Sequence, residues 1–360
     1  MTINKSRDIF RYLLIYPLLI FMLGWSWFFL YPYVKAYLND AELVLFSFVP
    51  SNIHSVPCLN NGKVIYPVSI DFDNGIVGFD IVGLPEDILI YDYSNIGYCI
   101  NGSSNSAYVV RNQNFNSDGF SVVTKNNIAP VITVKSIPGC EISGVYDSVV
   151  VVICDAFKET VVFVAINIES GIIENKFEAK REDKVVGYYG GDFLIYDSKT
   201  RRMLLSSRVG NKYLIDAVSS EEAHNSVFYK NNLYLVRQHG STFEIIKWEH
   251  ESGEVISLSI LEKKPQMLSV NDGVVLFSVL HDESYDIYYI DENNISNMGR
   301  RINIDGSQVY PIYSEGYVYW AENFRTPISF LSSVIFGTQY SQYYIYRKPY
   351  LEELKDSGKQ

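Results

Sequence analysis

Four cysteines, five methionines and five histidines in 360 residues leave little material for a metal centre or a thiol-based active site. There is no Cys-x-x-Cys pair, no His-Glu-x-x-His string, no Gly-x-Ser-x-Gly elbow, no phosphate-binding loop and no dinucleotide fingerprint. Motifs therefore nominate no catalytic residue, no cofactor site and no metal ligand set. Basic residues are scarce as well, 30 against 41 acidic ones, for a formal net charge of −11. The first 42 residues hold Lys5, Arg7, Arg11 and Lys35 against Asp8, Asp40 and Glu42, so the acidity lies in the rest of the chain. A body that acidic, without a Lys/Arg stripe, repels phosphate backbones and excludes nucleic acid as a partner.

Long apolar runs are absent with one exception. From Tyr12 to Val34 there is no charged side chain, a stretch of 23 residues between Arg11 and Lys35. As a helix it exceeds the roughly 30 Å hydrocarbon core of a bilayer. Trp25, Trp27, Tyr31 and Tyr33 crowd its far end, where amphipathic rings favour the interface. Three basic residues precede it, and only Lys35 follows closely, which places the N-terminus in the cytoplasm. The run is too long for a cleavable signal peptide, and Phe28-Phe29-Leu30-Tyr31-Pro32 offers no small-residue cleavage site. The expectation is a signal-anchor in the plasma (inner) membrane: cytoplasmic tail 1–11, span 12–34 with the lipid bilayer as its partner, short tether 35–42, and an extracytoplasmic, periplasmic body.

Past residue 43 the composition favours strands. Aromatics reach 15%, with 29 Tyr and 20 Phe, and short apolar runs alternate with Gly, Asn, Asp and Ser clusters. The most apolar runs recur regularly. Aligned on Ile65, Tyr108, Val150, Phe193, Leu233, Val275 and Val318, they step by 43, 42, 43, 40, 42 and 43 residues. That period predicts an all-β fold, a β-propeller of seven four-stranded blades over 43–350, preceded by one transmembrane helix and followed by a polar tail, 351–360. Repeat four is the weakest unit, because Asp192–Ser198 fits a second or a third strand; a six-bladed ring is the alternative. Repeat seven lacks a fourth strand, and the orphan run Glu42–Val49 would supply it and close the ring without exposed edges.

Repeat three reads as Cys140–Ser143, Ser148–Asp155, Thr160–Asn167 and Ile172–Phe177, with Glu169-Ser170-Gly171 as its outer turn. Repeats five and six carry like hairpins, Phe243–Glu249 with Val255–Ile260, and Asp286–Asp291 with Ile295–Met298. These hairpins resemble those of quinoprotein-like and WD40-like propeller blades. The resemblance implies architecture alone. The Trp-Asp dipeptide and the quinoprotein Trp after the turn glycine are both missing, so no functional residue carries over.

Cys58, Cys99 and Cys140 are spaced by 41 and 41 residues, at what read as equivalent places in three inner strands, and Cys154 lies in the next strand. In an oxidising compartment this predicts bridges Cys140–Cys154 and Cys58–Cys99. The competing reading is a small apolar filler repeated by common ancestry. The histidines, His54, His224, His239, His250 and His281, lie near turns or strand ends and read as surface residues. Asp71-Phe-Asp73-Asn74-Gly75 begins like a calcium loop but lacks its later ligands. Glu249, Glu251 and Glu254 read as a solvated turn.

One connection breaks the pattern. Asn323–Ser341 is too long for a hairpin loop and too apolar for a disordered one, with Phe330, Leu331, Val334, Ile335 and Phe336. It folds over its own blade, docks a protein partner at the membrane, touches the bilayer or lines a ligand pocket. With no catalytic constellation in view, the first functional expectation is a non-enzymatic binding or scaffolding module. The alternatives are a propeller enzyme, a hydrolase or lyase on a polymer or glycan with its site at the channel mouth, and a toxin-neutralising immunity protein.

Overall fold

The computed structural model describes residues 3–46, the strand segments named below, almost all of 140–292, and 307–324 and 342–350; between residues 45 and 139 side chains are described only at Pro57 and Val64. The described chain forms seven antiparallel four-stranded sheets. Sheets two to six are each consecutive in sequence, as in sheet three: Cys140–Tyr146, Val149–Cys154, Thr160–Asn167, Ile173–Lys180. First strands of successive sheets touch one another from sheet three to sheet seven, and sheet seven touches sheet one. That is the order expected of a propeller, and the sheets are called blades below.

The seven anchor residues of the period all fall in second strands, and their register partners are Cys58, Cys99, Val145, Tyr188, Phe228, Val270 and Tyr313 on the first strands. Second strands are buried along most of their length because neighbouring blades cover both faces: Val149–Val152, Phe193–Tyr196 and Val274–Val279 are enclosed throughout. Each such side chain contributes roughly 1.5–3 kcal/mol by leaving water. Outer strands alternate, as Ile173–Lys180 does, because one edge meets solvent.

Blade four settles the count. Lys184–Tyr189 is its inner strand and Asp192–Asp197 its second, so there are seven sheets and not six. Blade one is irregular: Ser51–Ile53 and Cys58–Asn60 share one side of Lys63–Ile70, and Ile76–Val82 takes the other. In blade six the fourth position is Arg300–Arg301, paired with Tyr288 and Tyr289; the expected strand Ile295–Met298 lies outside the described residues. Blade seven is Gln308–Ser314, Tyr317–Phe324 and Gln342–Pro349, with Glu42–Phe46 added at its outer edge. Arg347 and Glu42 reinforce that closure with an ion pair at 2.6 Å. Val64 of blade one packs with Ile312, Tyr319, Ala321 and Ile345 of blade seven.

Helix α1 runs from Ile3 to Leu38 and contains the charge-free run. Counting described residues alone, no helix is long and apolar enough to cross a membrane; several side chains of Tyr12–Val34 lie outside that description. Those that are described, including Leu18, Leu19, Leu23, Trp27 and Leu30, are exposed. The stretch expected as a tether, 35–42, holds the end of α1 and the first residue of the strand Glu42–Phe46. Helix α1 continues through Leu38, Ala36 is buried in a cluster with Trp320, Tyr344, Tyr346 and Tyr350, and Ala41 and Leu43 pack against it. Lys35 pairs with the buried carboxylate of Glu322, which also accepts from the Trp320 indole N–H at 3.3 Å. Small Ala36 lets the helix approach closely, and the ion pair removes the need for water at the contact.

Candidate functional site

Four inner strands share an irregularity. Their register slips at Ile142/Gly144, Val185/Gly187, Gln266/Ser269 and Val309/Ile312. A bulge inserts unpaired residues and turns their side chains off the sheet face. The inserted Ser143, Val186, Met267 and Leu268 all line one cavity of about 510 Å³, formed where blades three to six meet. Met267 holds φ 54°, as the equivalent Tyr310 holds φ 53°, and the Tyr310 amide donates to the Met267 sulfur at 3.3 Å. A left-handed methionine and tyrosine at matching bulges are uncommon and mark a constrained rim.

Two glycines make room for the aromatic floor. A Cβ on Gly187 would lie 2.8 Å from the Phe228 ring, and one on Gly144 would lie 2.6 Å from the Tyr146 hydroxyl. Tyr146 and Phe228 meet edge-on with centroids 6.1 Å apart, and the Tyr146 hydroxyl donates to the Val185 carbonyl at 3.3 Å. Burial pushes the Tyr146 phenol well above its ordinary pKa, so it stays a neutral donor.

The polar wall comes from two junctions between blades. Between blades three and four, Arg181 and Asp183 of the turn and Lys184, the first residue of the blade-four inner strand, line the cavity. Asp183 is occupied: it accepts from the Lys180 amide at 2.9 Å and from the Ser198 amide and hydroxyl at 2.9 and 2.8 Å. It therefore fixes the turn that presents its two basic neighbours. Between blades four and five, the short helix α2 (Ser220–His224) is started by a capping box, Ser219 with Glu222. Buried Glu222 also accepts from the Gln238 amide at 2.6 Å, which pins α2 to blade five. His224, Asn225 and Ser226 then face the cavity.

Lys184 reaches across to α2. Its ammonium meets the His224 ring and lies 3.4 Å from the Ser220 hydroxyl. The His224 Nδ1 also sits 2.9 Å from the Ser220 carbonyl. Burial lowers the Lys184 pKa from its ordinary value. Among the described residues neither Arg181 nor Lys184 has a carboxylate partner.

Of the residues singled out from sequence, Phe330, Leu331, Val334, Ile335 and Phe336 lie outside the described residues, as do His54 and the Asp71–Gly75 string. Cys140 and Cys154 are joined by a disulfide across the first two strands of blade three; the side chains of Cys58 and Cys99 lie outside the description. One equivalence is corrected. Cys58 and Cys99 do share a position, opposite Ile65 and Tyr108, but Val145 holds that position in blade three and Cys140 begins the strand. The cause is the inner-strand bulge, together with differing strand lengths, which spacing alone does not register. His250 contacts the Tyr189 and Trp248 rings, and His281 meets Lys263 and Tyr288; neither joins the cavity. Glu249 pairs with Lys247 at the blade-five turn. Arg181, Lys184 and the role of His224 were not expected. The available signal was Ser219-Ser-Glu-Glu222, a capping box in an unusually long connection between blades.

Comparisons with known proteins bear on the fold. No family model matches the chain, and no curated protein matches it in sequence. Solved structures do match. An acylaminoacyl peptidase from Pyrococcus horikoshii aligns with TM-score 0.56 and 11% identity over 86% of this chain and 54% of its own. The β-propeller domain of the Trilobed protease from Pyrococcus furiosus aligns with TM-score 0.50 and 11% identity over 75% and 91%. An oligogalacturonate lyase in complex with manganese aligns with TM-score 0.55 and 8% identity over 86% and 96%. The fold is thus that of a β-propeller. The chain spans about half the length of the peptidase, and the protease domain has an open velcro topology, whereas here Glu42–Phe46 closes blade seven. Among the described residues no group of three or more His, Cys, Asp and Glu is placed to hold a metal ion.

Proposed function

We propose that this chain is a membrane-anchored β-propeller enzyme, a hydrolase or lyase acting on a polymer or glycan, with its site in the cavity between blades three and six. The observation that carries this reading is the Lys184–His224 pair at the wall of a 510 Å³ cavity. A lysine whose charge burial disfavours, set against an imidazole, is suited to proton transfer. The structural neighbours support it, since they include a peptidase and a lyase, and the lyase aligns over nearly its whole length. The anchor is α1, spanning at 12–34, with the propeller on the extracytoplasmic side; exposed Leu18, Leu19, Leu23 and Leu30 support a lipid environment for it.

The test is to incubate the detergent-solubilised full chain with acidic and neutral polysaccharides and with peptides, and to follow product by mass spectrometry. Loss of turnover by about 10²–10⁴-fold in His224→Gln would support the assignment. The second reading is a non-enzymatic binding module, favoured by the Asp183 carboxylate of the same wall being engaged by Lys180 and Ser198 rather than by the Lys184–His224 pair. Saturable binding without product from any substrate would select it. Protease accessibility of the propeller in intact cells tests the topology, and complete protection would reverse it.

A further inference from the structure

We infer that the ligand of this cavity is an anionic glycan, held through its carboxylate by Arg181 and Lys184. The inference deepens the cavity reading above and rests on it. The whole chain is acidic, at −11, and ion pairs hold many of its other basic groups: Arg237 with Glu244, Lys247 with Glu249 and Glu292, Arg301 with Asp286, Arg347 with Glu42. Arg181 and Lys184 stand three residues apart at one cavity wall without a carboxylate among the described residues. The nearby Asp183, whose oxygens accept three hydrogen bonds from Lys180 and Ser198, leaves this wall with two lining cations against one lining carboxylate.

Lys184 rests against His224 and the Ser220 hydroxyl, weak substitutes for an anion. A bound carboxylate accepts charge-assisted hydrogen bonds from Lys184 and Arg181, beside the His224 ring. The remaining lining suits a sugar: Ser143, Asn225 and Ser226 offer neutral hydrogen-bonding groups, and the Tyr146 and Phe228 rings lie beside them.

Binding of a galacturonate trimer and of its fully methyl-esterified form to the full chain in detergent, read by calorimetry at two salt concentrations, decides the matter. The expected result is binding of the free acid, weakened by salt, with at least tenfold weaker binding of the ester. Arg181→Gln and Lys184→Gln should each weaken the acid about tenfold and leave the ester unchanged, with unaltered melting temperatures as the folding control. Equal binding of acid and ester, or no binding of the acid, overturns the inference. Tighter binding of a glutamate-rich peptide than of the acidic trimer overturns it too. To separate this from failure of the cavity itself, Ser143→Trp is made to fill it. A neutral glycan that binds and is lost in Ser143→Trp leaves the cavity reading standing while the anionic assignment falls.

Discussion

The carboxamide oxygen of Asn271 accepts the hydroxyl proton of Tyr229 at 2.9 Å, across 42 residues of chain. The same Asn271 donates from Nδ2 to the Tyr313 carbonyl at 3.0 Å, another 42 residues on. Two residues earlier, the Ser269 hydroxyl donates to the Pro311 carbonyl at 2.6 Å. The repeat length thus appears as hydrogen bonds that join the inner strands of blades five, six and seven. Their equivalent positions face each other around the ring, so one period along the chain is one step between blades.

Asn271→Ala tests this stapling. The substitution removes both contacts inside a buried environment and leaves the Tyr313 carbonyl without that donor, an effect of about 1–3 kcal/mol. Urea unfolding of the propeller should show a lower midpoint with an unchanged slope. Asn271→Asp keeps an acceptor for Tyr229 but sets a buried carboxylate oxygen against the Tyr313 carbonyl, so near neutral pH it should cost at least as much as Asn271→Ala.

Gly187→Ala asks whether the cavity floor depends on the close approach of Phe228. The added methyl would sit 2.8 Å from that ring, and overpacking of this kind costs roughly 1–3 kcal/mol. Gly187→Ala with Phe228→Leu should recover most of the loss, because the smaller side chain vacates the contact. If the single variant melts like the wild type, the ring is not confined as described.

The Cys140–Cys154 bridge encloses a short loop, 14 residues apart in sequence. A loop of that size is worth about 3 kcal/mol in the chain-entropy view. The double Cys→Ala variant should lower the unfolding midpoint by a corresponding amount, and reductant should lower the midpoint of the wild type by more than that of the variant. Non-reducing peptide mapping that finds both thiols free would remove the bridge altogether.

The ring was legible in the sequence because its signal is long-range and repeated. Seven apolar anchors, Ile65 to Val318, fall in second strands because those strands are buried on both faces and tolerate little but Val, Ile, Leu and aromatics. The closure by Glu42–Phe46 was legible for a related reason: an apolar strand without a repeat of its own has to pair somewhere. The cavity was not. Arg181 and Lys184 lie 43 and 40 residues before His224, and no local pattern says that these parts of the chain converge. The bulges that bring Ser143 and Met267 to the same space shift register without altering composition. The junction at Lys35 was hidden by its own charge, which marks the end of an apolar run in sequence but meets a buried carboxylate in three dimensions.

That junction makes the last prediction. Burial raises the Glu322 pKa above the ordinary carboxylate range, and the Lys35 ammonium beside it only partly opposes the shift. The folded chain therefore holds the Glu322 proton to higher pH than the unfolded chain does. Between the unfolded value, about 4.3, and the raised folded value, the folded state binds more protons, so this group's contribution to stability falls as pH rises through that window. Glu322→Gln never ionises and should gain on the wild type over the same interval. Lys35→Met leaves the carboxylate buried without its cation and should cost about 3–5 kcal/mol near neutral pH, with a smaller cost at acidic pH where Glu322 protonates. The double variant should recover most of that loss, because no charge remains to desolvate. Unfolding measured across pH for all four proteins gives the coupling directly. Additive effects of the two substitutions would mean that the end of α1 is not locked to blade seven through this pair.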